Sequence, residues 1–413
     1  MRAASVPMHD PKTATSTDTV HAGDPRVKPF DSVTQPIVQT STYTFEDTRE
    51  LVRMLEGTHE RPEREEYGRY GNPTTRGVEL RIAALEGAED GLLFSSGMAA
   101  IANALMALVH AGEHVVLFTE GYRRTRELVT GTLAGLGVAH TLLDAGDLAS
   151  LETAILPETR VVIHESPTNP HLKCVDLERL AQIAKKHKRV RTLVDATFAT
   201  PINCRPTAFG IDLVAHSATK YLAGHNDVLA GTLSGPSSLI SLVRDLRGVL
   251  GSVCDPHAAF LVGRGMKTLA LRVERQNATG LALARFLERH PAIEKVYYPG
   301  LVSHRDHAIA AKQMRGFGGV VSFIVKGGRD AACLFVDTVK MARIAPSFGG
   351  VESLVEVPAV MSFFELSPEE RAQVGIEEGL VRMSVGVEDT ADVIADVDQA
   401  LKAPGSQRPG PHP

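Results

Sequence analysis

Residues 161–195 read VVIHESPTNPHLKCVDLERLAQIAKKHKRVRTLVD, and the fold follows from this stretch. Val161–Glu165 and Thr192–Asp195 are short apolar runs, and Leu177–His187 between them reads as a helix. A strand apolar on both faces must be covered on both, and a helix between two such strands makes them parallel neighbours. Working outward, Val115–Phe118, Thr141–Asp144 and Leu213–His216 read as further buried strands, and Arg124–Leu136 and Leu148–Leu156 as helices. The expectation is a mainly parallel sheet in an α/β domain, with ligands bound beyond the carboxyl ends of its strands.

Beyond this region, Val262, Met266, Leu269, Val273, Gln276, Gly280, Leu283 and Leu287 recur in alternating steps of four and three. That stripe predicts one long helix, stopped by Pro291. Val320–Val325 and Leu380–Val385 read as strands, with helices near Arg329–Lys340 and Thr390–Leu401, so a smaller α/β domain follows. Residues 1–75 lack regular periodicity, and a long irregular segment is usually functional or wraps a partner. The reading divides the chain into an N-terminal segment (1–75), a large domain (76–265), a small domain (266–402) and a disordered Pro/Gly-rich tail (403–413).

The 413 residues are long enough for a large core without disulfides. With 44 basic against 49 acidic side chains the net charge is −5, which argues against nucleic acid or an acidic membrane surface as partner. The longest apolar run, Ala99–Val109, is too short to span a bilayer. Cys174, Cys204, Cys254 and Cys333 are widely spaced, as befits thiols in a reducing compartment. The first 18 residues are polar and lack an apolar signal core, so they read as a mobile arm on a cytoplasmic protein.

The chemistry centres on Ser217-Ala218-Thr219-Lys220, where a strand runs directly into two hydroxyls and a lysine. A lysine at a strand's carboxyl end can form a Schiff base with an aldehyde cofactor. A lone lysine in a loop is more often a solvated side chain, but other features answer to pyridoxal phosphate. Asp195 ends an apolar strand and could pair with a pyridinium nitrogen, although it could equally cap a turn. Ser96 is a plausible N-cap, which would aim the amides after it at an anion. Tyr67 and Arg69 could reach one phosphate together, and Ser217 and Thr219 could add hydroxyls. Tyr122 could stack on a planar ring or simply be a core tyrosine.

The runs YGRYGNPTT (67–75), SSGMAA (95–100), ESPTNP (165–170), HSATKYLAGHNDVLAG (216–231), APSFGG (345–350) and LVRMSVGVED (380–389) resemble the Cys/Met-metabolism PLP enzymes over about residues 19–402. Tyr-Arg-Arg-Thr at 122–125, APSFGG and GMKTLALRVERQN (265–277) are similar to the plant-type cystathionine γ-synthase branch. The resemblance implies fold type I of PLP-dependent enzymes (aspartate aminotransferase-like), with a seven-stranded type of sheet. It also implies a homotetramer built as a dimer of dimers, with active sites shared between subunits. It assigns Lys220 to the cofactor aldehyde, Asp195 to the ring nitrogen with Thr197 in support, and Tyr122 to ring stacking. Gly97, Met98, Ser217 and Thr219 would bind the phosphate, completed by Tyr67 and Arg69 of a neighbouring subunit. Asn169, Ser347 and Arg382 would orient the substrate, and Asn169 would also border the cofactor.

Two positions depart from many relatives. Arg123-Arg124 replaces a Gly-Gly pair, and Pro346 stands where many γ-lyases and the common bacterial synthases carry a glutamate; the plant-type branch shares both features. The expected reaction is γ-replacement on an O-activated homoserine by cysteine, giving cystathionine, with Lys220 and Tyr122 moving protons. γ-Elimination and replacement by sulfide are the alternatives, and a noncatalytic binding protein is a remote one. His304 and His307 lack a third ligand at motif spacing and read as a surface turn rather than a metal site. The basic run Lys185–Arg189 suits a helix C-terminus. Gly316-Phe317-Gly318-Gly319 lacks the preceding strand of a dinucleotide site.

Overall fold

The computed structural model describes residues 11–59 and 64–403. The strands are β1 (Asp90–Phe94), β2 (His114–Phe118), β3 (Ala139–Leu143), β4 (Thr159–Glu165), β5 (Arg191–Asp195), β6 (Leu213–Ser217) and β7 (Gly231–Gly235) in the large sheet. A second sheet holds β8 (Ile293–Tyr297), β9 (Val320–Val325), β10 (Arg343–Ile344), β11 (Leu354–Glu356) and β12 (Leu380–Ser384).

The large sheet runs β1-β7-β6-β5-β4-β2-β3, with β7 antiparallel to both neighbours and the rest parallel. Side chains alternate across it with period two. Val161, Ile163, Leu193 and Leu213 face one side, where the helix Gly97–Leu108 covers them with Ile101 and Leu105. Val162, Val194 and Val214 face the other side, packed with Leu177, Leu180 and Ala184 of the helix Leu177–Lys185. Each such side chain contributes about 1.5–3 kcal/mol on burial. The second sheet runs β10-β11-β12-β9-β8.

The structure corrects three expectations. The single long helix is two, Pro256–Met266 and Leu269–Glu288. The Gly265 carbonyl, which would continue the ladder, accepts instead from Thr268 N (3.1 Å), Thr268 Oγ1 (3.2 Å) and Arg272 Nη2 (2.8 Å). The apolar stripe passes over this break without changing phase. Arg272 is buried and also donates through Nη1 to Tyr221 O at 2.7 Å. Gly224, at φ +73°, turns the chain there, where a Cβ would lie 2.0 Å from Arg272 Nη1.

The expected N-terminal arm is not loose from Pro11 onward, while residues 1–10 lie outside the described residues. Arg205 N donates to Lys12 O and Ala14 N to Pro201 O, both at 2.7 Å, and Ala14 is fully buried. Thr15 and Asp18 then form a capping box on the helix Ser16–His21. The expected tail beyond Ala403 lies outside the described residues. His304 is buried rather than on a surface turn, its Nδ1 accepting from Asp306 N at 3.2 Å. All four cysteines are free thiols. Among the described residues, no helix is long and apolar enough to cross a membrane.

Candidate active site

Parallel register brings the carboxyl ends of β4, β5 and β6 side by side, with Glu165 opposite Asp195 and Asp195 opposite Ala215. Asp195 Oδ1 accepts from Thr197 N at 3.0 Å and from Thr197 Oγ1 at 2.5 Å. The Thr197 hydroxyl oxygen in turn accepts from Ser217 N at 2.8 Å, tying the end of β5 to that of β6. Burial raises the Asp195 pKa, its hydrogen bonds from Thr197 work against that rise, and no ion pair reaches it among the described residues. Asp195 therefore closes a turn through Oδ1, as one of its two sequence readings has it, and among the described residues no hydrogen bond reaches Oδ2.

Lys220 follows Ser217 by one tight turn, closed by Lys220 N donating to Ser217 O at 3.1 Å. Its Nζ donates to Ser347 Oγ at 2.7 Å and lies 5.1 Å from the centre of the Phe348 ring. Burial, and then the nearby Arg382 charge, pull its pKa down to about 8. Arg382 is buried on β12 and donates to Asn169 Oδ1 at 3.0 Å and to Ser347 O at 3.4 Å. Its other partner is Glu356, directly across the β11–β12 pair, with Nη2 and Oε1 2.9 Å apart. Lys220, Ser347, Arg382 and Asn169 thus form one connected cluster, drawn from segments as far apart in sequence as the loop after β4 and β12.

The helix Gly97–Leu108 begins at the same edge. Ser96 caps it, its Oγ accepting from Ala99 N at 3.1 Å. A Cβ on Gly97 would sit 2.9 Å from both Cα and Cβ of Ser217, so only glycine lets the helix start approach β6 this closely. Met98 Sδ accepts from Thr125 Oγ1 at 3.7 Å, and Thr219 Oγ1 accepts from Ala230 N at 3.0 Å. Tyr122 presents a half-exposed ring, and its backbone N–H donates to Glu165 Oε2 at 2.7 Å. An open groove of about 810 Å³ adjoins Lys220, Thr219 and Ser347.

Tyr67 and Arg69 do not join this cluster within one chain. The Arg69 guanidinium donates to Gly248 O and lies 4.9 Å from the Tyr70 ring centre, while Tyr67 is 40% exposed. Glu165, Glu356 and Phe348 belong to the site and carried no role in the sequence reading. Glu356 had a signal, because an acid inside the apolar run Leu354–Val357 must find a cation if that strand is buried.

The donor set suits a phosphorylated aldehyde with a basic ring nitrogen. It has an amine of lowered pKa, a partly buried carboxylate with no cation paired to it among the described residues, and a capped helix start set close against Ser217. Residues 16–402 match the model of the family described as Cys/Met metabolism PLP-dependent enzyme. The chain is 50% identical over 389 residues to cystathionine gamma-synthase 1, chloroplastic, of Arabidopsis thaliana, covering 93% of this chain and 68% of that protein. It is 42% identical over 391 residues to a cystathionine beta-lyase of Lactococcus lactis subsp. cremoris, covering 94% and 99%. The crystal structure of metB from Corynebacterium glutamicum superposes with a TM-score of 0.87 at 36% identity, covering 95% of this chain and 99% of that one. A match of this extent makes the chain a member of the Cys/Met metabolism PLP-dependent enzyme family.

Proposed function

We propose that the enzyme replaces the γ-oxygen substituent of an O-activated homoserine with the sulfur of cysteine, forming cystathionine and releasing the activating acid. A C–O bond breaks, a C–S bond forms, and the thiol proton is balanced by the departing acid. The observation that carries this reading is the Lys220 amine, held at Ser347 and open to a groove large enough for a second reactant.

Lys220, Asp195, Thr197, Ser217, Thr219, Gly97, Met98 and Tyr122 would hold pyridoxal phosphate, with Asn169 at its border. When bound, that cofactor supplies an electron sink that acidifies substrate Cα. Arg382 takes the substrate α-carboxylate in a two-pronged grip, steadied by Asn169 and Ser347. With its pKa drawn down to about 8, Lys220 Nζ gives up its proton more readily than an ordinary lysine, which suits it to remove the Cα proton and to return protons later. The Tyr122 hydroxyl hands a proton to the leaving γ-oxygen and takes one from the incoming thiol. Pro346 is exposed and puts no carboxylate beside Ser347, which weakens the grip on a long diamino substrate and favours synthesis over cleavage.

The active unit is read as a dimer within a homotetramer. Tyr67 and Arg69 lie apart from the Lys220 cluster of their own chain, which supports a role across a subunit boundary. Val27, Phe30 and Val33 in the same N-terminal segment are 83–91% exposed, an apolar surface that assembly would cover. The large domain (76–265) and the small domain (266–402) are read as meeting near the break between the helices Pro256–Met266 and Leu269–Glu288, which supports that division. Four free thiols favour a reducing compartment such as the cytoplasm.

The test compares kcat/KM for acylated or phosphorylated homoserine plus cysteine with kcat/KM for cystathionine cleavage. Faster ketoacid release from cystathionine, or from the activated homoserine with cysteine present, replaces the synthase reading with the elimination reading.

A further inference from the structure

The groove beside Lys220 has two charged walls that the chemistry above does not use. One wall is the loop 225–229. Asn226 is held there at φ +56°, a left-handed conformation uncommon for a residue with a side chain. Its Nδ2 donates to Glu352 Oε2 at 2.7 Å, which docks the loop on the segment leading into β11. A locally unfavourable backbone fixed by a specific contact is a reason to look for function nearby. What this loop presents to the groove is Asp227. β10 also lines the groove and presents Arg343. Among the described residues neither charge is in an ion pair, while Glu352, the other acid lining the groove, is engaged by Asn226.

An acid and a guanidinium that line one groove, neither in an ion pair among the described residues, suit a ligand carrying both charges. The α-carboxylate site at Arg382 adjoins the groove through Ser347, which lines it and whose carbonyl accepts from Arg382. A second amino acid entering from the mouth would meet Asp227 and Arg343 with its own ammonium and carboxylate. Its thiol would then be free to point toward Lys220, where bond exchange takes place.

We propose that Asp227 and Arg343 form a second amino-acid subsite, which selects the zwitterion of the incoming thiol over simple thiols and sulfide. This rests on the replacement reading of the function and deepens it by assigning recognition of the nucleophile. Arg343 takes the carboxylate and Asp227 the ammonium.

The experiment uses the holoenzyme with activated homoserine and four nucleophiles: cysteine, cysteamine, 3-mercaptopropionate and sulfide. In Arg343→Gln, the kcat/KM ratio of cysteine to sulfide should fall roughly tenfold, the worth of one charge-assisted contact. The ratio of 3-mercaptopropionate to cysteamine should fall with it. In Asp227→Asn the cysteine ratio should also fall, while the ratio of 3-mercaptopropionate to cysteamine should rise. Opposite movement in the two variants is a result that a general loosening of the groove does not produce. A cysteine-to-sulfide ratio that stays fixed in both variants, or a ratio of 3-mercaptopropionate to cysteamine that stays fixed or moves the same way in both, overturns the subsite. A wild-type enzyme that releases ketoacid but joins no thiol to the substrate overturns the replacement reading itself, and the subsite with it.

Discussion

Replacing Lys220 with methionine should make the cofactor-free protein more stable at neutral pH, because the site holds this amine at a cost. In the folded chain its pKa is drawn down to about 8, against 10.5 for a free lysine. Between those values the unfolded chain binds a proton that the folded chain does not. Stability of the wild type therefore rises with pH across that window, and the penalty is fully present below about pH 8. The gap corresponds to roughly 3 kcal/mol, an upper figure because the side chain keeps some contact with solvent. Methionine removes the charge and retains the apolar stem, but forfeits the hydrogen bond to Ser347, worth about 1 kcal/mol. The net expectation is a gain of about 2 kcal/mol at pH 7 that shrinks as the pH approaches 10. Urea unfolding of both cofactor-free proteins at pH 7 and pH 10, at one fixed protomer concentration, measures this directly. A methionine variant less stable than wild type at pH 7, or a gap that does not change with pH, would refute the argument.

His171 makes the opposite prediction. Burial alone would lower its pKa, but Glu120 at 3.2 Å and Glu377 at 3.1 Å raise it to about 9. Its contribution, up to about 3 kcal/mol, should be fully present below pH 6.5 and be lost as the pH rises through 9, and His171→Gln should abolish that slope in unfolding experiments. Arg382→Lys should raise KM for the amino-acid substrate roughly ten- to a hundredfold, since lysine cannot make the two-pronged contact, and initial-rate measurements at saturating thiol would show it. Mixing Lys220→Ala with Arg69→Ala subunits should restore part of the activity if sites are shared. Proven subunit exchange without recovery would confine each site to one chain.

The parts of the fold that could be read from sequence are those where burial leaves a regular mark. β4 and β5 are covered on both faces, so Val161–Ile163 and Leu193–Val194 stand out as apolar runs. β7, Gly-Thr-Leu-Ser-Gly, is as deeply buried but built mostly of small and polar residues, so it has no hydrophobic signature. Gln276 occupies the buried stripe of its helix because its amide donates to Gly350 O at 2.9 Å and Val385 O at 3.3 Å. Periodicity places such a residue on a face without revealing its partner. The same limit applies at the site. Asp195 and Lys220 were visible as charged residues at or just beyond the ends of apolar strands. Ser347 and Asn169 entered through resemblance alone, since nothing local in either stretch points toward Lys220 or Arg382. Glu356 was missed because its cation lies 26 positions away, on a strand that meets it only in the folded sheet.

The turn that carries Lys220 is held by the buried guanidinium of Arg272, which grips the carbonyls of Tyr221 and Gly265 and the hydroxyl of Thr268. All of these acceptors are uncharged, and burial lowers the Arg272 pKa only to about 10. This mount therefore still carries its charge at about pH 8, where the lysine on it gains and loses its proton. Acid–base cycling at Nζ is mechanically insulated from its own support, so the amine changes charge without changing address.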